Sequence, residues 1–182
     1  DYLKPENEVI CGGIVYKQEK PDRKEVLRWK YGHQRKSKPA KVRTLVPYKS
    51  FLAANFLIQK KLFNKIRFNE QMKQYGHEDT LFAFNLMEHR ANILHLDNPV
   101  FHLGLETNEI FLKKSLTAVE GAYFLEKTTS IDPNKIKVLE VYNKFDRMNL
   151  LCVIVAFGRF YEKKMKKNLL GSNPSLKLYD FY

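Results

Sequence analysis

Tyr75-Gly76-His77-Glu78-Asp79-Thr80 places a glycine and two adjacent acids ahead of an apolar run, Leu81, Phe82, Phe84, Leu86 and Met87. The run has helical spacing, so both acids fall in a first turn, where free N–H groups and the helix dipole favour ionised carboxylates. Acids are enriched in first turns for stability alone, at roughly 0.3 to 1 kcal/mol each. The neighbours add more than that. Gly76 lets a backbone or ligand come close, His77 hydrogen-bonds or titrates near neutrality, and Tyr75 offers a flat face of the kind sugars stack on. Residues 51–58 read as a strand before this segment, and residues 93–96 and 100–102 as a strand pair after it. The resulting order is strand, loop, acidic helix, strand pair.

Upstream, residues 9–16 read as a buried strand interrupted by Gly12 and Gly13. Glycines inside a strand mark a bulge by default, and otherwise a place where a ligand approaches the backbone. Residues 17–49 are polar and basic, with Pro21, Pro39, Pro47 and Trp29. They suggest a short helix over 25–31 and then a mobile loop, a substrate lid or plain slack. Asn55 stands alone in the apolar run 51–58, so its amide either ties down a neighbouring loop or faces a ligand. A short helix is expected over 59–66.

Beyond His102 the pattern turns helical. Thr107 is a cap for a helix over 108–127, with Leu112, Leu116, Val119 and Tyr123 on one face. Asp132-Pro133 starts another helix that runs to about residue 167, where Gly171-Ser172-Asn173-Pro174 ends it. The expected organisation is a mixed α/β part over 1–105 and a helical extension over 106–182.

The chain of 182 residues is 44% hydrophobic and 13% aromatic, enough for a folded core. Cys11 and Cys152 lack ligand-like spacing and read as reduced, buried thiols in a cytoplasmic setting. The first residues lack the blocks of a signal peptide, and the apolar run 150–157 is too short to span a bilayer. A net charge of +12 implies an anionic partner. Nucleic acid is not expected, because the basic residues fall in separate places and carry no nucleic-acid motif. Phe160 and Tyr161 beside Lys163, Lys164, Lys166 and Lys167 compose either a solvated helix face or a peripheral contact with an anionic membrane.

The pattern resembles the C-terminal, acceptor-binding half of bacterial family 2 glycosyltransferases, whose nucleotide-sugar-binding α/β fold is called GT-A. The resemblance rests on residues 51–58, on Phe68-Asn69-Glu70 followed by Gly76-His77-Glu78-Asp79-Thr80, and on the segment from Ile93 through Asp97-Asn98-Pro99 to His102 and Glu106. It implies an inverting transfer from a nucleotide-sugar donor to a glycan or lipid-linked acceptor, on the inner face of the plasma membrane or in the cytoplasm. Asp79 becomes the catalytic base. Glu78 holds the acceptor, with His77, Gly76 and Asn55 around it, and Gly12 and Gly13 approach the donor. The resemblance also implies Mg²⁺ or Mn²⁺, with His102 as a ligand of the metal or the diphosphate. Two departures stand out. Asn69 replaces the usual Asp of the Phe-Asp-Glu turn, and the sequence has no Asp-x-Asp for the donor. In such proteins that motif precedes a segment like the first six residues here, so the expectation is a fragment that does not turn over alone. The alternative class is a non-catalytic module that binds carbohydrate or a membrane surface.

Overall fold

The structure, a computed structural model, describes residues 4–70, 76–129 and 131–182. It is mixed α/β. The central strand β1 (Val9–Cys11) pairs antiparallel with β3 (Phe56–Ile58) and parallel with β4 (Ile93–His95), so that Ile10 lies between Leu57 and Leu94. After Gly12 and Gly13 the chain resumes as β2 (Ile14–Val15), which pairs in parallel with β5 (Val100–Phe101). The expected strand over 9–16 is therefore two strands in two small sheets. Gly13, with φ +83°, makes the break, and Asp97-Asn98-Pro99 makes the matching break between β4 and β5.

The expected strand over 51–58 pairs only at its last three residues. Phe51 is buried without joining the ladder, its ring against Phe56 and Phe82, which is why its segment looked like strand. The basic stretch after α1 (Val26–Tyr31) was expected to be a mobile loop, and it is not one. It forms a π-helical turn (Gly32–Lys36), α2 (Ala40–Thr44) and a 3₁₀ turn (Tyr48–Ser50). Internal anchors hold it: the Tyr16 ring packs where a side chain on Gly32 would stand, and Trp29 Nε1 donates to Lys17 O at 2.8 Å. Arg43 is the third anchor, only 3% exposed.

Helices α3 (Lys60–Lys65) and α4 (Glu78–Glu88) close one face of the three-stranded sheet. Phe82 of α4 is the centre of that core, stacked on Phe68 at 4.2 Å and bordered by Phe51, Phe56 and Phe63. The long α5 (Asn108–Thr128) starts as expected, with Thr107 Oγ1 accepting from Ile110 N. Its inward face differs from the expected one. Phe111, Leu112, Ala122 and Leu125 are buried, whereas Leu116, Val119 and Tyr123 are about half exposed. The inward line runs through Phe111, Ala118, Ala122 and Leu125, with Ala118 the residue that a side chain on Gly76 would meet, and Leu116, Val119 and Tyr123 lie off that line.

The expected long helix from Asp132-Pro133 begins as a 3₁₀ turn (Pro133–Lys135), continues as α6 (Lys137–Arg147) and breaks at Asn149, whose φ is +54°. Then come α7 (Leu151–Leu169) and a short α8 (Leu176–Phe181). The helical part shares its cores with the sheet part. Leu81 and Phe84 of α4 pack among Ala122, Leu125, Ile136 and Leu139, and Leu27 and Tyr31 of α1 pack among Phe111, Leu169 and Leu176. Buried Asn108 fastens the junction. Its Oδ1 accepts from Leu27 N and its Nδ2 donates to Arg23 O and Gly171 O. Cys11 is buried and its thiol is pushed up to about 12 by burial, but Cys152 is exposed on α7, contrary to expectation.

Candidate functional site

Two consecutive left-handed residues, Gly76 (φ +99°) and His77 (φ +69°), turn the chain sharply into α4. A non-glycine residue in that conformation is strained, and such strain concentrates where a structure holds something in place. Here it presents the first turn of α4. Glu78 is exposed, and Asp79 is half-buried behind it. Asp79 Oδ2 accepts from Ala53 N at 3.3 Å, and among the described residues the carboxylate forms no ion pair. Burial is the largest influence on Asp79 and raises its pKa. The Ala53 N–H opposes this, the Glu78 charge adds to it, and the Lys36 charge lowers it. The helix start thus does not give Asp79 the low pKa expected from its first-turn position, because desolvation outweighs the N–H groups.

Gly76 and His77 act on α5. A side chain on Gly76 would meet Ala118 Cβ at 2.7 Å, and the His77 ring hydrogen-bonds the Ala118 carbonyl and Thr80 Oγ1. Burial keeps His77 neutral, with Lys36 nearby opposing its charge further. Tyr75 lies outside the described residues. Asn55, left open between tying a loop and facing a ligand, ties a loop: its Nδ2 donates to Gly13 O and Asn98 O, both at 2.9 Å, and its backbone O accepts from Gly12 N. The space beside the two glycines is filled by protein. A Cβ on Gly12 would lie 2.4 Å from Asn55 Nδ2 and Asn98 O, and one on Gly13 2.9 Å from the Arg43 guanidinium.

The structure therefore joins Asp79, Asn55, Gly12 and Gly13 through the 51–55 turn. His102 stands apart, at the end of β5. Its ring stacks on Tyr16 at 5.1 Å, its Nε2 accepts from Arg28 Nη2 at 3.2 Å, and among the described residues its buried Nδ1 has no hydrogen-bond partner. Burial, then the Arg28 charge, lowers its pKa, so the imidazole is neutral. A neutral imidazole facing a guanidinium does not suit a divalent cation, which the neighbouring positive charge would repel. Among the described residues no three His, Cys, Asp or Glu groups converge on a possible metal position. The residues present do not fit the Mg²⁺ or Mn²⁺ that the sequence resemblance implied.

Arg43 and Lys36 are the residues that sequence reasoning missed. Arg43 donates to Lys38 O, Cys11 O, Gly12 O and Leu96 O at 2.6–3.1 Å and to His95 Nδ1 at 2.8 Å, while His95 Nε2 donates to Pro47 O. One guanidinium thus gathers both glycine-turn and strand-end carbonyls. Only its position in the basic stretch 17–49 marked it, and the eleven other lysines and arginines there could not be told from it by composition. Two surface hollows, of about 290 Å³ beside Lys30 and residues 173–177 and about 490 Å³ along α6, both lie away from the acidic pair. No protein-family model matches the chain, and no curated protein or solved structure matches it either.

Proposed function

We propose that this chain supplies the acceptor side of an inverting glycosyltransferase, with Asp79 as general base and Glu78 as the residue that holds the acceptor sugar. The carrying observation is the strained turn at Gly76 and His77 at the start of α4, where Glu78 is exposed and Asp79 is half-buried with no ion pair among the described residues. The mixed sense of the sheet, with β3 antiparallel, is compatible with the GT-A reading. In the reaction the acceptor hydroxyl oxygen forms a bond to the anomeric carbon as the bond from that carbon to the nucleoside diphosphate breaks, its electron pair leaving with the diphosphate. The hydroxyl proton passes to Asp79. Ala53 N–H fixes Oδ2, which leaves Oδ1 to take the proton, and the hydroxyl becomes acidic only as it attacks, so the base needs only to be ionised and within reach. In this reading Glu78, exposed on the adjoining position, accepts a hydrogen bond from a hydroxyl of the sugar. Arg43 and Asn55 act at one remove by fixing the glycine turn and the 51–55 segment on which Asp79 leans.

The test is sugar transfer from nucleotide sugars by the gene product that contains this segment. Asp79→Asn, which keeps the shape and the Ala53 contact, is expected to lower the rate about 10²- to 10⁴-fold, the usual contribution of a general base. The parent rate is expected to rise with pH through an apparent pKa above the ordinary carboxylate range, since burial raises that of Asp79. Transfer undiminished in Asp79→Asn would remove the proposed base and with it the assignment.

A further inference from the structure

Helices α6 and α7 carry apolar side chains on their outer surfaces. In α6, Val138, Val141, Tyr142 and Phe145 recur at spacings of three and four and make one face. Yet Leu139 is the buried residue of this helix, and Tyr142 is 51% exposed. In α7 the line Leu151, Ile154, Gly158, Tyr161, Met165 faces inward, and only its second half reaches full burial, at Met165 and Leu169. The opposite line is Val153, Ala156, Phe160, Lys163, Lys167. Val153 is 63% and Phe160 80% exposed. At 1.5 Å per residue this outer line changes from apolar to cationic within about 10 Å.

We propose that the outer face of α7 docks on an anionic lipid surface, with Val153 and Phe160 entering the boundary between headgroups and acyl chains and the lysines over 163–167 meeting lipid phosphates. Charge selects this occupant. From Lys137 to Lys167 there are eight lysines and arginines against three acids, the complement of an anionic headgroup layer. A second copy of the same face would bring like charges together, so self-pairing is disfavoured. The exposed stripe of α5 makes the contrast: Leu116, Val119 and Tyr123 are flanked by Glu109, Glu120 and Glu126 as well as by lysines, and offer no single sign of charge. Shape points the same way. The apolar groups of α7 are separate tips on a convex helix, not the lining of a concave slot such as a peptide or small ligand fills. Among the described residues no helix is long and apolar enough to cross a membrane, so the contact is one of lying on the surface.

The experiment is sedimentation of the purified chain with vesicles of phosphatidylcholine alone and of phosphatidylcholine mixed with phosphatidylglycerol, at low and high salt. The chain is expected to sediment with the mixed vesicles at low salt, to be released by high salt, and to stay in solution with phosphatidylcholine. The double variant Lys163→Gln/Lys167→Gln is expected to bind roughly thirtyfold more weakly, about fivefold per lysine near such a surface. Val153→Ser/Phe160→Ser is expected to weaken binding to the mixed vesicles at low salt while leaving thermal unfolding unchanged, because both side chains are already in water. Equal binding to neutral vesicles, binding unaffected by either variant, or a soluble dimer that ignores vesicles and dissociates on Val153→Ser/Phe160→Ser would each overturn the proposal. Asp79→Asn is expected to sediment like the parent, so this proposal and the transfer reaction stand or fall separately.

Discussion

Phe82 and Phe160 are the same side chain on helices of comparable apolar content, and one is 1% and the other 80% exposed. Around Phe82 the rings of Phe51, Phe56, Phe63 and Phe68 approach, and apolar residues of β1, β4 and α3 complete the same core. Around Phe160 the chain supplies Tyr161 and little else, since the first half of α7 buries none of its residues. Hydrophobicity thus drives burial only where the topology brings a second surface. An apolar helix without one keeps its transfer free energy unspent and available to an external partner.

Phe82→Ala puts that contrast to its severest test. Removing the ring from a packed aromatic core loses its transfer free energy and leaves a cavity, so a loss of about 3–5 kcal/mol is expected by denaturant unfolding. A loss below about 1 kcal/mol would mean that the core is no better packed than the α7 surface, and the comparison would fail.

Arg43→Met tests whether polar groups share the same division. The guanidinium is buried and satisfied by four carbonyls and a histidine, and Met would fill the space while leaving those carbonyls without donors. The expected cost is about 3 kcal/mol. Surface cations such as Lys163 should change stability by no more than about 0.5 kcal/mol on the same substitution.

The glycines and the acidic pair were legible in the sequence because their chemistry is local. Gly13 and Gly76 both have positive φ, β4 and β5 fall within the expected strand pair, the two glycines mark where the expected strand over 9–16 divides into β1 and β2, and Thr107 caps α5. What was not legible depends on partners far along the chain. Nothing near residue 43 shows that its guanidinium would meet Cys11 and Leu96, and nothing near Gly76 shows that Ala118 would be its neighbour. The buried face of α5 was misread for the same reason. Periodicity picked Leu116, Val119 and Tyr123, but the face that α1 and α4 cover runs through Phe111, Leu112, Ala122 and Leu125. At the candidate site, position in a first turn was readable, while the burial that raises the pKa of Asp79 depends on tertiary packing around the helix start and was not.

Gly76→Ala sharpens the comparison at the boundary between core and surface. The added methyl would stand 2.7 Å from Ala118 Cβ in a residue at φ +99°, so both strain and overlap oppose it. The expected loss is about 1–3 kcal/mol, with a matching drop for Ala118→Val, whereas Gly158→Ala on α7, where a Cβ meets nothing within 4 Å, is expected to stabilise by up to about 1 kcal/mol. Equal effects at the two glycines would deny that α4 and α5 are pressed together.

Asp79 gives a smaller effect whose sign is informative. Its folded pKa lies above the ordinary 3.8, so between the two values the folded state holds more protons than the unfolded one. The stability it contributes is complete below pH 3.8 and is lost as pH rises through the folded value. Asp79→Asn is therefore expected to be the more stable protein at neutral pH, with the gap closing as the solution is acidified toward pH 4, followed by thermal unfolding across that range. Greater stability of the parent at neutral pH would show that the carboxylate is held by a favourable charge partner and is not poised as a base.

Phe160→Ala is expected to do least to the fold, and for that reason it bears most directly on what α7 is for. A ring that is 80% exposed loses almost no buried area on truncation, so unfolding should move by no more than about 0.5 kcal/mol, against the several lost at Phe82. Retention on an apolar chromatography resin should fall, because one of the most exposed apolar tips of the surface has gone. If the substitution instead destabilised the chain as much as Phe82→Ala does, the first half of α7 would have to be covered by protein in solution, and the two helices would differ in their partner and not in whether they have one.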